Sequence, residues 1–267
     1  MRNRVLITAL VGVLATAPAM ADTAAGIEAL QSQRYSDAIR AFADAAEAGD
    51  PDARFYIGRM QELGLGLERS VRVAAKTYSE AAEAGSAKAR NRLGMLHLDG
   101  AGVLQDFLRA RELICGAADA GLDAAQYNCG LLLLTGKGGE TDAEGATARF
   151  AEAAAQAHVG AMNQYGQALL AGAGIEADAE AARGWFEKSA ATGDATGLFW
   201  LGQIYAQGRG IEIDAVKAHF YYNVAASLGH PQAAAGRAQV QTGLTAEEIA
   251  EAQKLAREWA PTPSGED

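Results

Sequence analysis

Two cysteines, Cys115 and Cys129, four histidines and five Gly-x-Gly loops are the features of this chain whose residue types could do chemistry. A structural zinc site wants four nitrogen or sulfur ligands, and two cysteines do not supply them. His97, His158, His219 and His230 lack ligand spacing such as H-x3-H, and His97 falls in a column that elsewhere holds Tyr205. A serine nucleophile would need a G-x-S-x-G turn or an S-x-x-K pair; neither occurs. The loops Gly64-x-Gly66, Gly100-x-Gly102, Gly136-x-Gly138, Gly172-x-Gly174 and Gly208-x-Gly210 could cradle a phosphate only if each joined a strand to a helix. They follow helical patterns instead, and read as backbone turns. The expectation is no catalytic set, no metal and no cofactor.

The elements that carry these residues are set by a repeat. Gly49, Gly85, Gly121, Gly193 and Gly229 fall 36 residues apart or at a multiple of it, with Ala157 in the missing slot. Gly58, Gly94, Gly130, Gly166 and Gly202 make a second column in the same period, the Gly-x-Gly loops a third, and Asp106, Asp142, Asp178 and Asp214 a fourth. Each unit reads as two helices. Over 71–84, Ala74, Tyr78, Ala81 and Ala82 share one face, and Gly85 ends the helix as a C′ residue. A second helix follows over 87–98, with Leu93-Gly94 and Leu96. One such unit cannot bury its apolar face alone, so neighbours must stack.

The hairpin places the cysteines. Facing residues of an antiparallel pair have a constant sum of numbers, which for Cys115 and Cys129 centres the turn on residue 122, beside Gly121. The thiols therefore face one another. They form a disulfide if the chain matures in an oxidising compartment, or two buried thiols in small core slots.

The pattern A-x3-[aromatic]-x2-A-A-x2-G-x3-A-x3-L-G-x5-G-x-G-x3-D resembles the Sel1-like repeat, a relative of the tetratricopeptide repeat. Its best copy runs from Ala182-Arg183-Gly184-Trp185-Phe186 through Leu201-Gly202 to Gly208-Arg209-Gly210-Ile211, and the resemblance covers about 35–240. It implies an all-α, right-handed α-solenoid of about six repeats with a concave groove lined by the Leu-Gly helices. Ala157, Ser70 in the aspartate column and Arg237 in the leucine column depart from the pattern. Residues 22–34 read as an N-terminal capping helix, 35–242 as repeats, 243–260 as a C-terminal capping helix and 261–267 as a frayed tail. The C-terminal cap opens with Thr245-x-x-Glu248, a capping box, and carries Ile249, Ala252, Leu255, Ala256 and Trp259 on one face.

By this resemblance the groove columns are Phe55, Asn91, Tyr127, Asn163 and Phe199 and, one turn on, Arg59, Met95, Leu131, Gln167 and Gln203, with Tyr56, Arg92, Asn128, Gln164 and Trp200 beside them. These columns vary while the flanking Gly and Ala columns repeat, as individual binding residues on a shared scaffold would. The resemblance implies a non-enzymatic adaptor or regulator that binds a protein. One exported group of such proteins represses a sensor kinase controlling exopolysaccharide synthesis. Cysteine-rich members bridge paired helices about one turn nearer the tip than Cys115 and Cys129, and are linked to penicillin binding. A cell-wall or β-lactam-interacting enzyme is accordingly the alternative.

Arg2 and Arg4, the apolar run Val5–Thr16 and Ala19-Met20-Ala21 have the form of a secretory signal over 1–21. The run is shorter than the ~20 residues of a membrane span. The expectation is a periplasmic monomer beginning near Asp22, whose partner is a periplasmic protein or sensor domain. The formal charge is −10 and becomes more negative on loss of Arg2 and Arg4. Phosphate-rich partners require an excess of Lys and Arg, so nucleic acid is excluded, as is membrane insertion after cleavage.

Overall fold

A computed structural model describes residues 23–261; the expected signal segment, and the tail from residue 262, lie outside them. The described residues form fourteen α-helices and no strand, the all-α repeat class read from the sequence. The chain divides into two compact units at Ser86 and Ala87.

The first unit holds α1 (Thr23–Gln31), α2 (Tyr35–Glu47), α3 (Pro51–Leu63) and α4 (Val71–Glu83). Phe42, Met60 and Tyr78 are fully buried in it. Glu62, 7 % exposed, accepts from Arg59 Nη1 at 2.9 Å and from the Tyr78 hydroxyl at 2.7 Å. A buried carboxylate needs such partners. Arg59, expected in the groove, is thus held in an internal ion pair.

The second unit holds α5 (Ala87–Asp99), α6 (Phe107–Asp119), α7 (Asp123–Thr135), α8 (Ala143–Ala155), α9 (Val159–Ala171), α10 (Ala179–Ala191), α11 (Ala195–Gln207), α12 (Ala215–Ser227), α13 (Ala233–Gln241) and α14 (Ala246–Glu258). From α5 to α13 each helix packs on the next, and α5 also touches α7, as α11 touches α13. The Leu-Gly helices therefore form one layer and the intervening helices another. Two columns explain the close approach between layers. Ala110, Ala146, Ala182 and Ala218 are all fully buried. Each Leu-Gly glycine also lies beneath a large side chain, so that a Cβ on Gly166 would stand 2.7 Å from the Phe186 ring.

The aspartate column, left without a role by the sequence reading, caps helices. Asp106, Asp142, Asp178 and Asp214 accept from the backbone N–H three residues on, at 2.8–2.9 Å. In the first unit Ser70 does the same through its hydroxyl at 3.3 Å. Carboxylate and hydroxyl oxygens both satisfy the open N–H groups of a first turn, which is why serine is tolerated there.

Ala157 carries φ of 64° where Gly121 and Gly193 carry 85° and 87°. An alanine in the left-handed region costs about 1–2 kcal/mol, partly offset by its lower freedom in the unfolded chain. Ala157→Gly is expected to raise stability by about 0.5–1 kcal/mol, read as a higher urea midpoint; a lower midpoint contradicts this account of the turn.

The Thr245–Glu248 capping box is present, and α14 packs on α12. Ala252 is fully buried, and Ala256 and Trp259 join the core. Leu255, expected on the same face, is 39 % exposed. The buried stripe follows 249, 252, 256 and 259, and residue 255 lies at its edge.

Candidate functional site

The column expected to meet a partner with Tyr127, Asn163 and Phe199 turns instead along the Leu-Gly layer. Each of these residues reaches the one 31 positions on, at the start of the next Leu-Gly helix. Tyr127 stacks on His158 at 4.6 Å, Asn163 Nδ2 donates to Asp194 Oδ1 at 2.8 Å, and Phe199 stacks on His230 at 4.1 Å. Asn163 and Phe199 are only 5 % and 7 % exposed. They support the surface from beneath rather than meet a partner. Asn91, in the same column, accepts from Asn128 Nδ2 at 3.3 Å. In the first unit Phe55 lies edge-on to Tyr56 at 5.2 Å.

The column one turn on stays nearer solvent: Met95, Leu131, Gln167 and Gln203 are half-buried. Gln167 Nε2 is used locally, donating to the Asn163 carbonyl at 3.2 Å. Trp200 is half-buried and stacks on Phe186 at 5.7 Å.

At the end of this layer α11, α12 and α13 enclose a cleft of about 610 Å³. Buried Phe199 and Tyr222 form its floor and Gln203, Gln207, Gln232 and Gln239 its rim, with the small residues Ala206, Ala215, Ala235, Gly236 and Gly243 and with Val240 and Thr242 completing the lining. No Asp, Glu, Lys, Arg or His lines it. Among the described residues, none of the four glutamine side chains has a hydrogen-bond partner. A glutamine amide offers two donors and one acceptor oxygen, so this rim can bind amide groups of either sense. Gln203 was legible in the sequence. Gln232 and Gln239 were missed because α13 is shorter than its counterparts and its glycine against Tyr222 is Gly236, out of register with the glycine column; Gln207, at the end of α11, lies one turn beyond the two columns read as groove.

A second cleft, of about 530 Å³, lies among Arg183, Tyr205, Lys217, Leu244 and Glu248. Its cations are spoken for: Arg183 pairs with Glu187 at 2.5 Å and Lys217 with Asp214 at 3.4 Å. Behind the cleft's Tyr205, which stacks on Tyr221 at 5.5 Å, burial pushes the Tyr221 hydroxyl up to about 12. Among the described residues no three His, Cys, Asp or Glu side chains converge to hold a metal.

The histidines serve the scaffold. His158 Nδ1 accepts from the Ala161 N–H at 3.1 Å, and His97 Nδ1 lies 3.1 Å from the Leu104 carbonyl. His219 is 1 % exposed, with Nε2 3.4 Å from Gln241 Oε1. Burial, reinforced by Arg237 and opposed by Gln241, holds its pKa below 6.5. The folded chain therefore keeps His219 neutral while the unfolded chain protonates it near 6.5, and the unfolded state binds more protons between the two values. Its contribution to stability is complete above pH 6.5 and falls as pH drops below it. Burial lowers His230 as well, against the pull of Asp194. Melting curves at pH 7.5, 6 and 5 are expected to show a steeper acid loss in wild type than in His219→Gln; parallel losses contradict this.

Comparison with known proteins follows the same lines. Solved structures with this arrangement include a protective antigen of uropathogenic Escherichia coli displaying an SLR fold, 25% identical with a TM-score of 0.77. That match covers 89% of this chain and 53% of the antigen, so the chain spans about half its length. A Sel1 repeat protein from Oxalobacter formigenes is 26% identical with a TM-score of 0.75, over 89% of this chain and 99% of that one. No curated protein sequence matches significantly. The family model for the Sel1 repeat matches 51–86, 87–122, 123–158, 159–194 and 195–230. In that phase Cys115 lies in the repeat 87–122 and Cys129 in the next, 123–158. Five consecutive matches place the chain in the Sel1 repeat family, whose members serve in general as scaffolds for protein–protein interaction.

Proposed function

We propose that this chain is exported to the periplasm and acts there as a non-enzymatic scaffold or regulator. It holds a partner protein, such as the sensor domain of a kinase governing an envelope or exopolysaccharide process, on the exposed face of its Leu-Gly helices. The observation that carries this reading is the division of labour within that layer. Asn163 and Phe199 are consumed in joining repeats, whereas Gln203 and its neighbours around the cleft keep their amides free. A surface with fixed aromatic support and uncommitted amides suits polypeptide recognition.

Export is supported by Arg2, Arg4, the apolar run and Ala19-Met20-Ala21, and by the bond between Cys115 and Cys129, since such bonds persist in oxidising compartments. Among the described residues no helix is long and apolar enough to cross a membrane. Two measurements in the native host test the proposal. Intact mass of the protein from a periplasmic extract is expected to begin at Asp22; a full-length cytoplasmic protein contradicts export. Crosslinking before purification is expected to retain a partner protein that Trp200→Ala and Leu131→Ala lose together. Retention of the same proteins by wild type and both variants contradicts the surface assigned.

A further inference from the structure

We infer that the cleft between α11, α12 and α13 takes the main chain of an uncharged, extended polypeptide segment. This names the partner chemistry of the surface proposed above and rests on that reading. Three properties of the cleft converge on it.

The first is charge. In a chain of formal charge −10, a lining without Asp, Glu, Lys, Arg or His is an uncharged island. A charged side chain entering it would give up hydration and find no ion to replace it. The second is spacing. Gln203 and Gln207 both line the cleft and stand one turn apart, about 6 Å along α11. Alternate residues of an extended chain lie about 6.8 Å apart. Two amides on one wall can therefore meet two successive same-side peptide groups, while Gln239 faces the segment from α13. The small residues Ala206 and Ala235 let a backbone come close.

The third property decides between a peptide and a saccharide, since both present hydroxyl or amide groups. Sugar rings are held by stacking on open aromatic faces. Here the aromatic floor is closed, with Phe199 7 % and Tyr222 5 % exposed and their rings set against one another at 5.7 Å. Hydrogen bonding from the rim remains, and that matches a peptide main chain.

The test uses the full chain and a displayed library of random 12-residue peptides, followed by fluorescence polarisation of the selected sequences. Selected peptides are expected to carry an uncharged core. Methylating alternate backbone nitrogens of that core should weaken binding about tenfold or more, as should Gln203→Leu combined with Gln239→Leu at unchanged melting temperature. Maltohexaose should not compete. Selection of acidic or basic cores, indifference to backbone methylation, competition by maltohexaose, or no selection at all would each overturn the inference. Peptides lost on Trp200→Ala or Gln167→Leu but not on the cleft double substitution would overturn it too, while leaving the scaffold reading in place. Should the double variant melt early, Ala206→Arg, which blocks the cleft from a half-buried wall position, supplies the same comparison.

Discussion

Gly174→Val is expected to lower stability by about 3–5 kcal/mol. Gly174 has φ of +69°, where a β-branched residue is strained, and its missing side chain faces backbone. A Cβ there would lie 2.3 Å from the Ala143 carbonyl oxygen and 2.6 Å from the Glu144 nitrogen. Those atoms belong to the first turn of α8, which Asp142 caps, so they cannot withdraw without opening the helix start. Backbone strain contributes about 1–3 kcal/mol and overpacking a similar amount. Gly184, in the middle of α10, meets nothing within 4 Å, and Gly184→Ala is expected to be neutral or stabilising by up to about 1 kcal/mol. Urea unfolding followed by tryptophan fluorescence compares the two. A loss under about 1 kcal/mol for Gly174→Val would show that the loop does not lie against the start of α8.

Cys115→Ser is expected to cost about 2–3 kcal/mol. The bond joins α6 to α7 with a sequence separation of 14 and Cα atoms 5.0 Å apart, and closing a loop of that size restricts the unfolded chain by an amount of this order. Because the two helices belong to successive repeats, the loss falls on a repeat junction, where stability is largely a sum of neighbour terms. Dithiothreitol should lower the wild-type melting temperature by as much as the substitution does, and leave the variant unmoved. A wild-type melting temperature indifferent to reductant contradicts the account. Cys129 is 1 % exposed, so complete reduction must be verified by thiol alkylation after unfolding.

The features legible in the sequence are those that recur once per repeat. Glycines at helix ends, interrupted only by Ala157, and alanines at contacts stand in columns, and periodicity alone identifies the helices between them. Asp106 and its equivalents were visible as a column but not as helix caps, although an acidic residue just before an apolar run is the ordinary sign of one. The candidate site was only half legible. A column names residues at equal positions, yet does not say whether they point out of the layer or along it. Asn163 and Phe199 point along it because the start of the next helix lies within reach, at Asp194 and His230. The cleft was hidden for the converse reason. Gln232 immediately precedes α13 and Gln239 lies in it, where the spacing breaks and residues have no counterparts to be read against.

The central claim is that the Leu-Gly helix layer, and not the opposite one, grips a partner protein. A photoreactive amino acid placed in turn at Gln167, Gln203, Glu152 and Lys188, with illumination of living cells of the native host, tests it most directly. The account predicts one adduct of the same mass from Gln167 and Gln203 and none from Glu152 or Lys188. Adducts confined to Glu152 and Lys188, or equal from all four positions, would contradict it.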